Sequence, residues 1–342
     1  MLDGNADTIS TNRRWNCYPG ARVDSPVPIY QLAIPEVYNT WSFTTNYPDW
    51  KELQDYFDHV DKVCELSKDT AFETVVTSAE YDERAGKWTV KTADGRTAKT
   101  RFLIIAAGFA AKRYIPDYAS MDKFKGEIHH SSFWPAEDID VKGKRVAVVG
   151  TGASGKDCVN LRLVMTRLRN VGVQIAQEWG PKVESMSVFV RTPNLALPMG
   201  KRDMSKEEQD GYRPYYPQIF DLRERCFAGF TYDFTERNTF DDTPEEREAL
   251  FESLWKRQGF ALWLGGYSDY LFDMKANREA YNFWAKKQRQ RIKNEAKRDL
   301  LCPLEPPHAF GISKFSLHPM KAEISDMSSR TSLPRAKLLR GP

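Results

Sequence analysis

The stretch Lys144-Arg145-Val146-Ala147-Val148-Val149-Gly150-Thr151-Gly152-Ala153-Ser154-Gly155 (KRVAVVGTGASG) decides the fold. Its first half is an apolar, β-branched run of strand length, and its second half is a GxGxxG loop, which means little outside that context. The first glycine permits a tight turn and the second lets a pyrophosphate approach the backbone. The third allows close helix-strand packing, and the helix that follows offers N–H donors and a positive dipole end. A further apolar run at Met186 to Val190 completes βαβ grammar, hence an α/β fold with a parallel sheet. The residue after that strand selects the dinucleotide. An acid there would hold a ribose 2′-OH, whereas Arg191 followed by Thr192 suits a 2′-phosphate, so NADP(H) is expected over NAD(H). Thr151, Gly152, Ala153, Ser154, Gly155, Arg191 and Thr192 form the candidate NADP set, with Arg191 as a solvated strand end the plain alternative.

The spacing is irregular. The strand-end residue belongs about 20 positions after the glycine loop, and Arg191 lies 36 after Gly155; removing the 17 residues Lys156 to Gly172 brings this to 19. The segment reads as an insertion of the kind a translated intron or a mistaken gene model leaves. An inserted helical stretch would rotate and displace the VQIAQEW face that follows, so the packing of that helix is expected to suffer.

Working outward, Asp49 to Leu66 places Leu53, Phe57, Val60 and Val63 at helical spacing behind a capping Asp. The segments Thr74 to Asp82, Lys87 to Gly95 and Lys99 to Gly108 alternate or run apolar. They predict a small antiparallel unit feeding a buried strand over Arg101 to Ala106. Thr243, Pro244 and Glu246 open a helix running to about Lys256. Another helix is expected over Lys275 to Lys297, its basic face a solvated exterior, and the tail from Ser313 is expected to be disordered.

Composition narrows the function. The 342 residues carry 50 Lys and Arg against 47 Asp and Glu, a formal charge of +3 that excludes nucleic acid or an anionic membrane as the main partner. Five scattered cysteines without a CxxC pair indicate neither a disulfide framework nor a metal site, and a reducing compartment is the default. No run is long and apolar enough to span a membrane, and the start has no secretory signal, so a cytoplasmic protein is expected. Aromatic residues make up 13% of the chain, which suits flat ligands but more often reflects core packing.

Phe124-Lys125-Gly126, His130 and Trp134-Pro135 fit the pattern FxGxxxHxxxWP just ahead of the nucleotide loop. With that loop they make most of the chain, from Trp15 to about Ile312, resemble the Baeyer-Villiger monooxygenases, flavoproteins of class B. YPGARVDSPVPIY is similar in wording to fungal members that oxidise terpenoid or polyketide-terpenoid ketones. The resemblance implies FAD and NADP(H) in adjoining Rossmann-like domains, with the flavin activating O₂ to insert one oxygen atom beside a cyclic ketone. It implies flavin contacts at Trp15, Asp24, Tyr30 and Val76. It also implies that Arg22, Val23 and Asp24 lie between flavin and nicotinamide, and that His130 has a hinge or structural role. By this resemblance residues 1–140 are a partial FAD domain, 141–200 an NADP-binding core continuing into a helical region over 201–300, and 301–342 a divergent tail.

The chain departs from that pattern in three places. The family's own FAD strand and glycine loop precede the segment of which Trp15 to Gly20 is the counterpart; here MLDGNADTISTNRR stands there. The 17-residue insertion interrupts the NADP loop. After Phe310-Gly311, where the family carries a Lys-Arg step whose Arg stabilises developing negative charge, this chain reads Ile312-Ser313-Lys314, so no catalytic side chain is assigned. Three readings follow: an FAD- and NADPH-dependent monooxygenase, a non-catalytic remnant or gene-model artefact of one, or a related N-hydroxylating or flavin-containing monooxygenase.

Overall fold

The computed structural model describes residues 17–106, 115, 117–118, 120–135, 137–150, 171–189, 195–307, 309–310 and 337–339. They fall into two compact units. The first gathers the described residues up to Tyr18 with Leu32–Phe43 and Pro48–Asp138, and the second gathers Pro19–Gln31, Thr44–Tyr47 and the described residues from Ile139 on.

In the first unit, α1 (Pro35–Tyr38) precedes α2 (Trp50–Cys64), whose capping Asp49 accepts from the Glu52 N–H at 2.9 Å. The buried stripe is Leu53, Tyr56 and Val60, while Phe57 and Val63 are only half-buried. Trp41 and Phe43 pack against Tyr56 with centroids 5.7 and 5.1 Å away. The antiparallel sheet β1-β2-β3 (Val76–Asp82, Lys87–Thr92, Thr97–Thr100) forms as expected, its second hairpin turning at Asp94-Gly95 with Gly95 at φ 86°. The buried strand expected over Arg101 to Ala106 does not form. Phe102, Ile104 and Ile105 are 72%, 88% and 78% exposed, and no described strand pairs with them. An apolar run becomes a buried strand only where a sheet receives it.

In the second unit, β4 (Arg145–Val149) pairs in parallel with β5 (Ser185–Phe189), joined by α3 (Val171–Trp179). This establishes the α/β class. The strands are buried on one face rather than two: Val148 and Met186 are buried, while Ala147 and Val149 on the opposite face are exposed. The insertion lies outside the described residues apart from its last two, Val171 and Gly172, which open α3. Contrary to expectation, α3 packs on both strands, with Gln174 and Ile175 buried.

Beyond β5 the helices α4 (Lys206–Tyr212), α5 (Tyr216–Arg225), α6 (Pro244–Arg257), α7 (Ala261–Leu264), α8 (Met274–Arg291) and α9 (Glu295–Leu301) follow. The Thr243–Glu246 capping box closes reciprocally at 3.3 and 2.8 Å. The single helix expected over Lys275 to Lys297 is two, because Ile292 leaves helical geometry and Asn294 caps a new start by accepting from the Lys297 N–H. The basic face of α8 is solvated and ion-paired, Lys286 with Glu248 and Lys287 with Glu252, each at 2.7 Å. Its other face is the core, where Ala280, Tyr281 and Trp284 meet Phe251, Tyr267, Tyr270 and Phe310. The aromatic content read from composition is largely this packing.

Within residues 301–342, read as a divergent tail that is disordered from Ser313, two pieces join the fold. Ala309 and Phe310 are buried, and β6 (Lys337–Leu339) pairs in parallel with β5; residues 311–336 lie outside the description. Phe310 is held by Asn277, which is 1% exposed. Asn277 donates to the carbonyls of Tyr270 and Phe310 and accepts from the Phe310 N–H, at 2.8, 2.8 and 2.7 Å. Asn277→Ala therefore strands buried backbone groups and is expected to cost about 2–4 kcal/mol of unfolding free energy in urea titrations. Lys286→Ala, which breaks one exposed ion pair, is expected to leave the midpoint essentially unchanged.

Candidate functional site

The loop Pro19–Gln31 and the segment Thr44–Tyr47 were expected within a first domain ending at residue 140, and instead pack in the second unit with the parallel sheet. The join is a close approach. Gly20 takes φ 75°, and a Cβ there would stand 2.7 Å from the carbonyl oxygen of Gln174 on α3. Two residues beyond the contact, Arg22 donates from Nε to the Gly20 carbonyl and accepts at its own carbonyl from Gln174 Nε2, both at 3.2 Å. The candidate stretch Arg22, Val23 and Asp24 is thereby bolted to the helix of the nucleotide unit. Val23 is buried; Arg22 and Asp24 are half-buried.

On the strand side, Gly150 sits at φ 93°, a backbone that glycine alone adopts readily, and its N–H donates to the Phe189 carbonyl at 2.9 Å. The turn expected from this glycine continues into residues outside the description. Thr151, Gly152, Ala153, Ser154, Gly155, Arg191 and Thr192 lie outside the described residues, as does Trp15.

Asp24 faces Tyr47, which is 4% exposed and whose phenol is pushed up to about 12, first by burial and then by the Asp24 carboxylate. The other implied flavin contacts divide. Tyr30 sits in the same loop as Asp24 and is 38% exposed, while Val76 is the first residue of β1 in the other unit, opposite Thr92 and 46% exposed. The described residues thus group Arg22, Val23, Asp24 and Tyr30 and leave Val76 in a separate body. A half-buried carboxylate and a partly exposed tyrosine in one loop suit the donors and flat face of a flavin, and a positive-φ glycine at the end of a parallel strand suits a dinucleotide phosphate. No group of His, Cys, Asp and Glu among the described residues could hold a metal.

The signature segment has a physical basis inside the first unit. The Phe124 ring lies over Gly126, where a Cβ would stand 2.7 Å from Cζ. His130 Nδ1 accepts from the Ser132 N–H at 3.1 Å and its carbonyl accepts from the Phe133 N–H at 2.9 Å, so its imidazole pins a turn. Trp134 is buried at 7% exposure, and the Cys17 thiol donates toward the carbonyls of Trp134 and Pro135 at 3.9 and 3.8 Å. Sequence reasoning overlooked Gln174, Tyr47 and Cys17.

A family model for FMO-like flavin-binding monooxygenases matches residues 34–169. The FAD-binding monooxygenase acrE of Aspergillus aculeatus is 48% identical over 304 residues, which is 89% of this chain and 48% of the relative. Cyclopentanone 1,2-monooxygenase of Comamonas sp. is 39% identical over 97% of this chain and 57% of the relative. The solved structure of OTEMO with FAD and NADP superposes with a TM-score of 0.79 at 32% identity, covering 91% of this chain and 56% of that one. This chain spans about half the length of these relatives.

Two outcomes test this geometry. Gly20→Ala forces a left-handed backbone on an L residue and drives its Cβ into Gln174, so it is expected to cost about 2 kcal/mol, read as a lowered urea midpoint. Tyr47 is neutral when folded, with its pKa raised above the ordinary 10.0. Its contribution is therefore complete below pH 10 and is lost as pH rises toward about 12. Tyr47→Phe is expected to flatten the fall of stability across that window, measured as urea midpoint against pH. The matched sequences and the superposed structure together identify the chain as a member of the flavin-binding monooxygenase family, on its Baeyer-Villiger branch.

Proposed function

We propose that this chain forms the NADPH-binding and flavin-facing part of a monooxygenase that inserts one oxygen atom from O₂ beside a cyclic ketone in fungal secondary metabolism. The observation that carries the proposal is the bolting of the Arg22–Asp24 stretch to α3, because it fixes a half-buried acid and an outward tyrosine beside the nucleotide unit. The relatives supply the reaction class, and the fungal source of the acrE relative supports the metabolic setting.

FAD and NADPH, when bound, supply the redox chemistry. This chain's residues bind and orient. Arg191 and Thr192 hold the 2′-phosphate, and Thr151 to Gly155 cradle the pyrophosphate. Asp24 accepts hydrogen bonds from ring or ribose donors between the two cofactors. Tyr30 would contact the flavin, with Val23 in the same loop, and Trp15 and Val76 keep the flavin contacts that the resemblance implies. His130 holds its turn, its Nδ1 accepting from the Ser132 N–H.

The test is cofactor titration of the purified chain. NADPH is expected to bind more tightly than NADH, and Arg191→Ala is expected to weaken NADPH about tenfold while leaving NADH unchanged. Added FAD should be retained with flavin absorbance, and cyclopentanone should yield a lactone. A chain that stays colourless and binds neither nucleotide would make it a non-catalytic remnant, and an N-oxide product would place it with the N-hydroxylating relatives.

A further inference from the structure

The turn that carries Tyr30 presents one side chain outward. Val27 N–H donates to the Asn46 carbonyl, Tyr30 N–H to Pro26 and Gln31 N–H to Pro28, at 3.0, 3.2 and 3.0 Å. Ile29 packs against the cluster of Phe230, Phe260 and Leu264, and Gln31 is 4% exposed, so two inward residues bracket an outward tyrosine. Arg223 on α5 closes this arrangement. Its Nη1 donates to the carbonyls of both Ile29 and Gln31 at 2.9 Å each. The same guanidinium stands 4.7 Å from the ring of Phe220, which is 4% exposed, so the donating head rests on a fixed base one helical turn away. A charged donor shared by two carbonyls two residues apart holds the Ile29–Tyr30 and Gln31–Leu32 peptide planes, and so the backbone that sets the direction in which the Tyr30 side chain leaves the turn.

We propose that Arg223 is a positioning residue for the flavin, acting through the Tyr30 turn and not by touching the cofactor. The inference rests on the reading of Tyr30 as a flavin contact. Lysine keeps a charge but lacks the flat guanidinium that rests on the Phe220 ring, so its donor is not held in place beneath the two carbonyls.

The experiment uses the full chain with Arg223→Met and Arg223→Lys, and Phe251→Leu as a core variant remote from the turn. Three readouts are taken: hydrogen exchange at the Tyr30 and Gln31 amides, FAD affinity by equilibrium dialysis, and melting temperature. Both Arg223 variants are expected to speed exchange at those two amides and to raise the FAD dissociation constant, Arg223→Met by about tenfold in each. Phe251→Leu is expected to lower the melting temperature without moving either. If Arg223→Met does not fold, Arg223→Lys carries the same comparison. Unchanged exchange, or faster exchange with unchanged FAD affinity, overturns the inference. A wild-type chain that retains no FAD overturns the functional reading itself and this inference with it.

Discussion

The approach of Gly20 to the Gln174 carbonyl is the constraint on which the candidate site depends. A 2.7 Å gap to a hypothetical Cβ means that no other residue fits without moving α3 or the loop. Because α3 is itself packed on β4 and β5, the contact ties the loop to the parallel sheet. Everything downstream inherits that position: the Arg22 carbonyl satisfied by Gln174, the acid at Asp24 facing Tyr47, and the turn at Tyr30. A long surface loop costs conformational entropy to order, and a few backbone-directed hydrogen bonds at its two ends offset that cost more cheaply than side-chain packing along its length.

Much of the fold was legible because local chemistry agreed with its surroundings. Asp49 before an amphipathic run, Thr243-Pro244 with Glu246, the glycine at 95 and the paired apolar runs at 145–149 and 185–189 each state a requirement that their immediate neighbours meet. The break between α8 and α9 was legible in principle, since Asn294 before Glu295 is a cap signal, but the basic periodicity running through it masked the stop. The membership of Pro19–Gln31 in the second unit was not legible. It is decided by a contact between residues 20 and 174, and nothing at either position announces a partner 154 residues away.

The signature segment shows how a pattern becomes geometry. Its glycine lies under the Phe124 ring, its histidine accepts the backbone N–H two residues on through an imidazole nitrogen, and its tryptophan is buried. Each of these roles is one of packing or of holding the backbone within the segment.

The exposed run Phe102 to Ile105 shows where sequence reasoning ends. Its composition is that of a central strand, and removing such side chains from water stabilises a fold by about 25 cal/mol per Å² buried. That gain exists only if a neighbour is present to cover them. Periodicity and propensity describe what a segment requires of its surroundings, and they are silent about whether the requirement is met. Val148 makes the same point from the other side: it is buried because β5 and α3 lie beside its strand, while Val149, its equally apolar neighbour, faces away and is 64% exposed. The difference between a strand that closes a core and one that stays open therefore lies outside the strand, in the elements stacked on its two faces.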